Sequence, residues 1–139
     1  PFEPLSIPLS LAYVRGVNTT DDTDLPSIPP LEGRVACRID LGSKLPWWAE
    51  FGCRLAARQS KIDNDFPENE TPGYAVFHLR GGFEVFRRLR IDAGLENLFD
   101  QEYTEHLTPW AAVGAGDLKQ GDVIPEPGRY VHVGFKLDF

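Results

Sequence analysis

The chain has 139 residues, of which 42% are hydrophobic and 25% charged, and its net charge is -7 at pH 7. That length suffices for one domain with a core, and the composition excludes a disordered tail. The acidic balance argues against a nucleic-acid partner, since phosphate contacts need clustered Lys and Arg.

No run of about 18 apolar residues is present, so no transmembrane helix is expected; strands, which need only about 10 alternating residues, stay open. The chain starts at Pro1 with neither an initiator Met nor a basic-then-apolar leader, so either a leader has been removed or, as we expect, this is a piece of a longer chain.

Taken in chain order, period-two alternation predicts six strands. Leu9 to Val17 sets Leu9, Leu11 and Tyr13 against Ser10, Ala12 and Gly16. Arg34 to Leu41 sets Val35, Cys37, Ile39 and Leu41 against Arg34, Ala36, Arg38 and Asp40. Trp47 to Gln59 sets Trp47, Ala49, Phe51, Cys53, Leu55 and Ala57 against Glu50, Gly52, Arg54 and Arg58. Tyr74 to Val85 and Arg88 to Leu98 follow the same rule. The last strand carries Val131, Val133, Phe135, Leu137 and Phe139 on one parity and Tyr130, His132, Gly134, Lys136 and Asp138 on the other. No stretch has a helical period, and the chain reads as an all-β, antiparallel up-and-down meander.

The connections alternate in length. GSKLP and FRR are hairpin-sized, whereas NTTDDTDLPSIPPLEG, SKIDNDFPENETPG and FDQEYTEHLTPWAAVGAGDLKQGDVIPEPG are long. In a meander every second link emerges on the same side, so the long loops share one rim and the short turns the other. That is the arrangement of outer-membrane barrels. Trp47, Trp48, Phe83, Phe86 and Phe139 gather at the short-turn end, where a membrane-interface girdle would sit.

At ENLFDQEYTEHL, Glu96 to Leu107, the sequence resembles the Asn-Leu-Phe-Asp stretch, followed by Glu-Tyr, that marks the penultimate strand of TonB-dependent outer-membrane receptors. LPSIPPLEGR, Leu25 to Arg34, resembles that family's Pro-rich entry into a downward strand, and PEPGRYVHVGFKLDF resembles its closing strand. The resemblance implies that the chain is part of a roughly 22-stranded outer-membrane β-barrel around a plugged lumen, in the bacterial outer membrane. It implies energy-coupled uptake of a metal chelate, such as siderophore iron, copper or a cobalamin-like ligand. The implied partners are outer-membrane lipid, the remainder of the barrel and its plug, TonB through the absent N-terminal part, and the barrel-assembly machinery, which reads Phe139, Leu137 and Phe135. On the same ground ligands would meet the longest loop, at Tyr103, His106 and Trp110. Glu105, His106 and Leu107 resemble the copper and cobalamin subgroup. No cofactor is implied.

Other features point less far. Asp21 to Asp24 and Asp63 to Asp65 could hold Ca²⁺, but neither has EF-hand spacing, so no metal ligand is assigned. Cys37 and Cys53 share a parity on strands joined by a short hairpin. They are read as two small lipid-facing thiols, with a disulfide open to them if their Cα atoms lie within about 7 Å. No catalytic constellation emerges: there is no GxSxG, HExxH or phosphate-cradling loop, and no acid stands opposite a base. Two further readings remain: a soluble β-barrel or sandwich that binds a ligand with its apolar face inward, and a passive porin.

Overall fold

The computed structural model describes residues 5–42, 46–63, 68–85, 88–108 and 123–139. Nine strands appear in them: β1 (Leu5–Ser6), β2 (Leu9–Ala12), β3 (Val17–Asn18), β4 (Thr23–Asp24), β5 (Glu32–Leu41), β6 (Trp47–Ala56), β7 (Tyr74–Val85), β8 (Leu89–Glu96) and β9 (Tyr130–Leu137). No helix occurs among the described residues.

All pairings are antiparallel, and the main sheet runs β1-β5-β6-β7-β8-β9 with β2 beside β1 on the same edge of β5. Six positions across the sheet therefore follow chain order, as the alternation predicts. The first position differs from the expected strand Leu9 to Val17. Pro8 has no N–H to give the ladder and splits it into two short pieces, while its carbonyl still accepts from the Ala36 N–H at 3.0 Å. Beyond Ala12 the chain leaves the sheet, and Val17–Asn18 folds back on Thr23–Asp24 as a small hairpin within the loop. β6 stops at Ala56, three residues short of Gln59, which instead makes an isolated bridge to Thr71.

The register keeps one parity on each face across all the strands. On the odd face Cys37, Phe51, Leu79, Leu95 and Val131 are successive cross-strand partners; on the even face Arg38, Glu50, Arg80, Gly94 and His132 are. β7, at 12 residues, runs roughly 40 Å along its axis, which a tilt near 45° reduces to about 28 Å of height.

Apart from the small β3–β4 hairpin, the described strands form a single layer. Among the described residues only Cys53, Ala56 and Tyr74 are buried hydrophobics. The accessible surface is 10088 Å², against roughly 7,200 Å² for a compact protein of this mass. The soluble reading needs the odd residues packed against a second layer, and no described element covers them. The edges at β1/β2 and β9 do not pair with each other, so the sheet is open.

Candidate functional site

The odd face is apolar and exposed over its whole width. Leu9 (77%), Leu11, Ile39, Phe51, Leu55, Leu79, Phe83, Val133 and Phe135 (71%) all point away from protein. In water this would be an aggregating surface far larger than a monomer normally shows; facing hydrocarbon, it is the favourable arrangement. Trp47 lies directly opposite Phe83 near the short-turn rim, and Phe139 ends the chain there, fully exposed. Trp48, expected in that girdle, sits on the other face. Even parity turns it inward, where the Arg38 guanidinium stacks over its ring at 4.1 Å. Phe86 lies outside the described residues.

Phe99 supplies aromatic surface at the opposite rim, a position the alternation does not reach. Its ring packs edge-on against Phe77 at 5.2 Å, and Phe77 stacks with Phe51 at 5.9 Å. The residues around it make a tight turn. Asn97 and Asp100 take left-handed backbone conformations, with φ of 48° and 55°, which Asn and Asp tolerate better than most residues. The buried Asn97 side chain accepts from the Gln101 N–H at 2.9 Å and donates to the Gln101 carbonyl at 2.8 Å and the Pro127 carbonyl at 3.3 Å. Asp100 accepts from the Arg129 N–H at 2.7 Å. The Asn-Leu-Phe-Asp stretch thus ties the exit of β8 to the entry of β9, and the signal for Phe99 lay in the motif.

The even face is polar, and many of its charges are paired. Arg80 holds Glu96 through two bonds of 2.6 and 3.0 Å, and Arg38 holds Asp40 at 2.8 and 2.9 Å. Glu50 contacts His78 at 3.2 Å, Arg38 at 3.9 Å and Arg80 at 4.0 Å. Three glycines let these long side chains lie flat across the neighbouring strand. A Cβ at Gly52 would sit 2.4 Å from His78, at Gly94 2.3 Å from His132, and at Gly82 2.4 Å from Asp92. The wall is therefore low in relief and balanced in charge. A trough of about 470 Å³ runs along it, lined among others by Arg34, Arg54, His78, Glu96, Tyr103 and Tyr130.

At the long-loop rim Arg54 anchors the last long loop to the wall. Its guanidinium bonds Glu105 and, at 3.3 Å, Glu32, and lies 5.6 Å from the Tyr74 ring. Tyr103 packs on Tyr74 at 4.5 Å between ring centres, and burial pushes its phenol above the usual range. Tyr103 also borders the trough.

His106 is placed differently. Its side chain is only 1% exposed: Nε2 lies 3.0 Å from Glu68 and Nδ1 3.1 Å from the Thr71 hydroxyl. Of the three residues expected to meet a ligand, Tyr103 borders the trough, His106 is enclosed by the loops, and Trp110 lies outside the described residues. Phe135 and Leu137 stand on the exposed face of β9, opposite Ile91 and Leu89.

Among the described residues no group of three or more His, Cys, Asp or Glu could hold a metal ion. Both cysteines are free. The register sets Cys53 opposite Val35 and Cys37 opposite Phe51, so the thiols stand diagonally and are not partners. Cys37 is exposed as expected on the outer face, while Cys53 is buried.

No family model matches the chain, and no curated protein matches it. Among solved structures it is similar to one titled "Copper transporter OprC", with a TM-score of 0.89 and 35% sequence identity over 99% of this chain. The chain spans 22% of the length of that protein. Along nearly all its residues, then, the chain has the fold of one segment of a copper transporter.

Proposed function

We propose that the chain is the C-terminal wall segment of a TonB-dependent outer-membrane receptor that imports a metal chelate or a similar scarce nutrient by energy-coupled transport. The observation that carries this reading is the sorting of the two faces: an exposed apolar face with aromatics near both rims, backed by an ion-paired polar face suited to a lumen. Open edges at β1/β2 and β9 support it further. In lipid each unpaired N–H and C=O costs several kcal/mol, so both edges call for neighbouring strands of a larger barrel.

The contribution of the segment is mechanical: wall, closure and part of the outer vestibule. Outer-membrane lipid meets the odd face. The plug and the rest of the barrel meet the even face and the edges, and TonB supplies the energy coupling of the intact receptor. The closing strand, with Phe135, Leu137 and Phe139, is the element presented to the barrel-assembly machinery. We assign Tyr103, His106 and Trp110 to the ligand vestibule. Copper, named by the similar transporter, is the cargo we favour, and the chain has no Met to supply a thioether ligand for it.

Two measurements on the intact protein carrying this segment test the reading. It should leave the membrane only with detergent, and a monodisperse, detergent-free monomer overturns the membrane assignment. Deleting it should lower copper uptake, and so should removing energy coupling. Uptake that persists without energy coupling replaces the receptor with a passive pore.

A further inference from the structure

We infer that Glu68, His106 and Thr71 form a latch that joins the described parts of the three long loops of one rim, with His106 as its positioning residue. The first loop, 13–31, enters through the Ser27 N–H, which donates to Glu68 at 2.7 Å. The second, 57–73, supplies Glu68 and Thr71. The third, 97–129, supplies His106, whose two ring nitrogens reach those two side chains.

One carboxylate thus accepts from both other loops, and its side chain is only 10% exposed. The histidine between the loops is more enclosed still. Buried polar groups of this kind stay paired, because breaking one contact leaves its partner desolvated and unsatisfied.

The loops are not equally tied. The first and second share another bond, from Gln59 Nε2 to the Ile28 carbonyl at 2.7 Å, and Gln59 itself bridges Thr71 through its backbone at 3.0 and 3.1 Å. Among the described residues the third loop is hydrogen-bonded to the other two through His106, and its other anchors, Glu105 on Arg54 and Tyr103 on Tyr74, fasten it to the wall. His106 is accordingly the place where the third loop gains or loses its coupling to the rim. The consequence for ligand entry rests on our reading of this rim as the vestibule: His106 then serves binding by position, and the loops open and close together. The coupling itself does not depend on any ligand.

Hydrogen exchange on the intact protein in detergent micelles tests it. The amides of Ser27, Thr71 and Thr108 report one loop each, with Gly52 and Leu79 as reference amides in the wall. H106A is expected to speed exchange roughly tenfold at all three loop amides together, as the loss of buried bonds to a charged partner implies, and to leave the wall amides unchanged. T71V keeps the shape and removes one contact, so it should loosen the same three amides by less. H106Q retains an N–H for Glu68 and should recover part of the protection. Faster exchange confined to the third loop in both H106A and T71V overturns the latch. If H106A disturbs the wall, T71V alone decides between the two outcomes. Copper binding, measured separately on the same samples, tests the vestibule reading and leaves the exchange result standing either way.

Discussion

The two faces of the sheet are built from the same strands, one residue apart, and they solve opposite problems. On the odd face Phe51, Leu79 and Phe135 touch little protein and carry no polar atom that would need a partner. On the even face nearly every long side chain is charged, and Arg38, Glu50, Arg80 and Glu96 are linked across adjacent strands. A soluble sheet with one wet face would bury its apolar side, whereas this one buries neither. On the receptor reading proposed above, the difference means that each face is matched to its own solvent: hydrocarbon against the apolar face, water or a polar domain against the other.

The sharpest way to break that comparison is to move a charge by one residue. Arg80 stands on the inner face without difficulty, but Leu79→Arg would put a guanidinium on the outer face near the middle of β7. There it should cost about 2 to 4 kcal/mol and block membrane assembly of the intact protein, as read by loss of the heat-modifiable, protease-resistant form. Phe135→Asp should act the same way but more weakly, since acidic residues are less costly than basic ones on that face. Val76→Gln, on the inner face of the same strand, should insert normally. Normal insertion of the Leu79 variant would reverse the assignment of outside and inside.

A smaller effect separates glycines within the inner face. Gly82 and Gly134 flank Asp92 from opposite sides in one cross-strand row, yet they differ in room. A Cβ at Gly82 would meet Asp92 at 2.4 Å, the Trp48 indole nitrogen at 2.6 Å and the Ile91 carbonyl at 3.0 Å, whereas a Cβ at Gly134 meets nothing within 4 Å. Gly82→Ala should therefore destabilise by about 1 to 3 kcal/mol, and by more than Gly134→Ala, which meets no atom of this segment and borders only the strand that covers β9 in the larger barrel. Thermal melting of the two variants in the same detergent checks the contrast. Equal melting temperatures would remove the close-packed row from the account of the inner wall.

Much of this was legible because parity is a local property. Once Val35, Phe51, Leu79 and Val133 are seen to alternate with polar or small neighbours, the two faces follow without knowledge of distant contacts. Trp48 was misplaced by its nearness to the short turn, where the aromatics gather, although its even position puts it on the inner face. The alternation also ran the first strand through to Val17, although the chain leaves the sheet after Ala12, and it missed the piece Leu5–Ser6 on the other side of Pro8. The rim was less readable for a different reason. His106 meets Glu68, 38 residues away, and Thr71, 35 residues away, so its enclosure depends on how loops from separate hairpins meet. No spacing in the sequence encodes that meeting. A histidine on a long loop read as a ligand contact for want of any sign of its partners.

The rim also offers the mildest test, through a group whose titration reports enclosure. Tyr103 lies on the third loop against Tyr74, and burial raises its phenol above the ordinary value of about 10. The sign follows from the neutral form being the favoured one in the folded loop. Below the unfolded value both states keep the proton and the loop has its full stability. As pH climbs from there through the raised value, the unfolded chain releases its proton first and that stability is lost. The difference between alkaline absorbance titrations of the intact protein and of Tyr103→Phe isolates this one phenol, since the ring packing on Tyr74 is kept. A late ionisation, moved back toward about 10 by H106A, would mean that the latch and the aromatic pair hold the third loop together. An unshifted phenol would mean that the loop stands open at Tyr103 and that only the wall, not the rim, is preorganised.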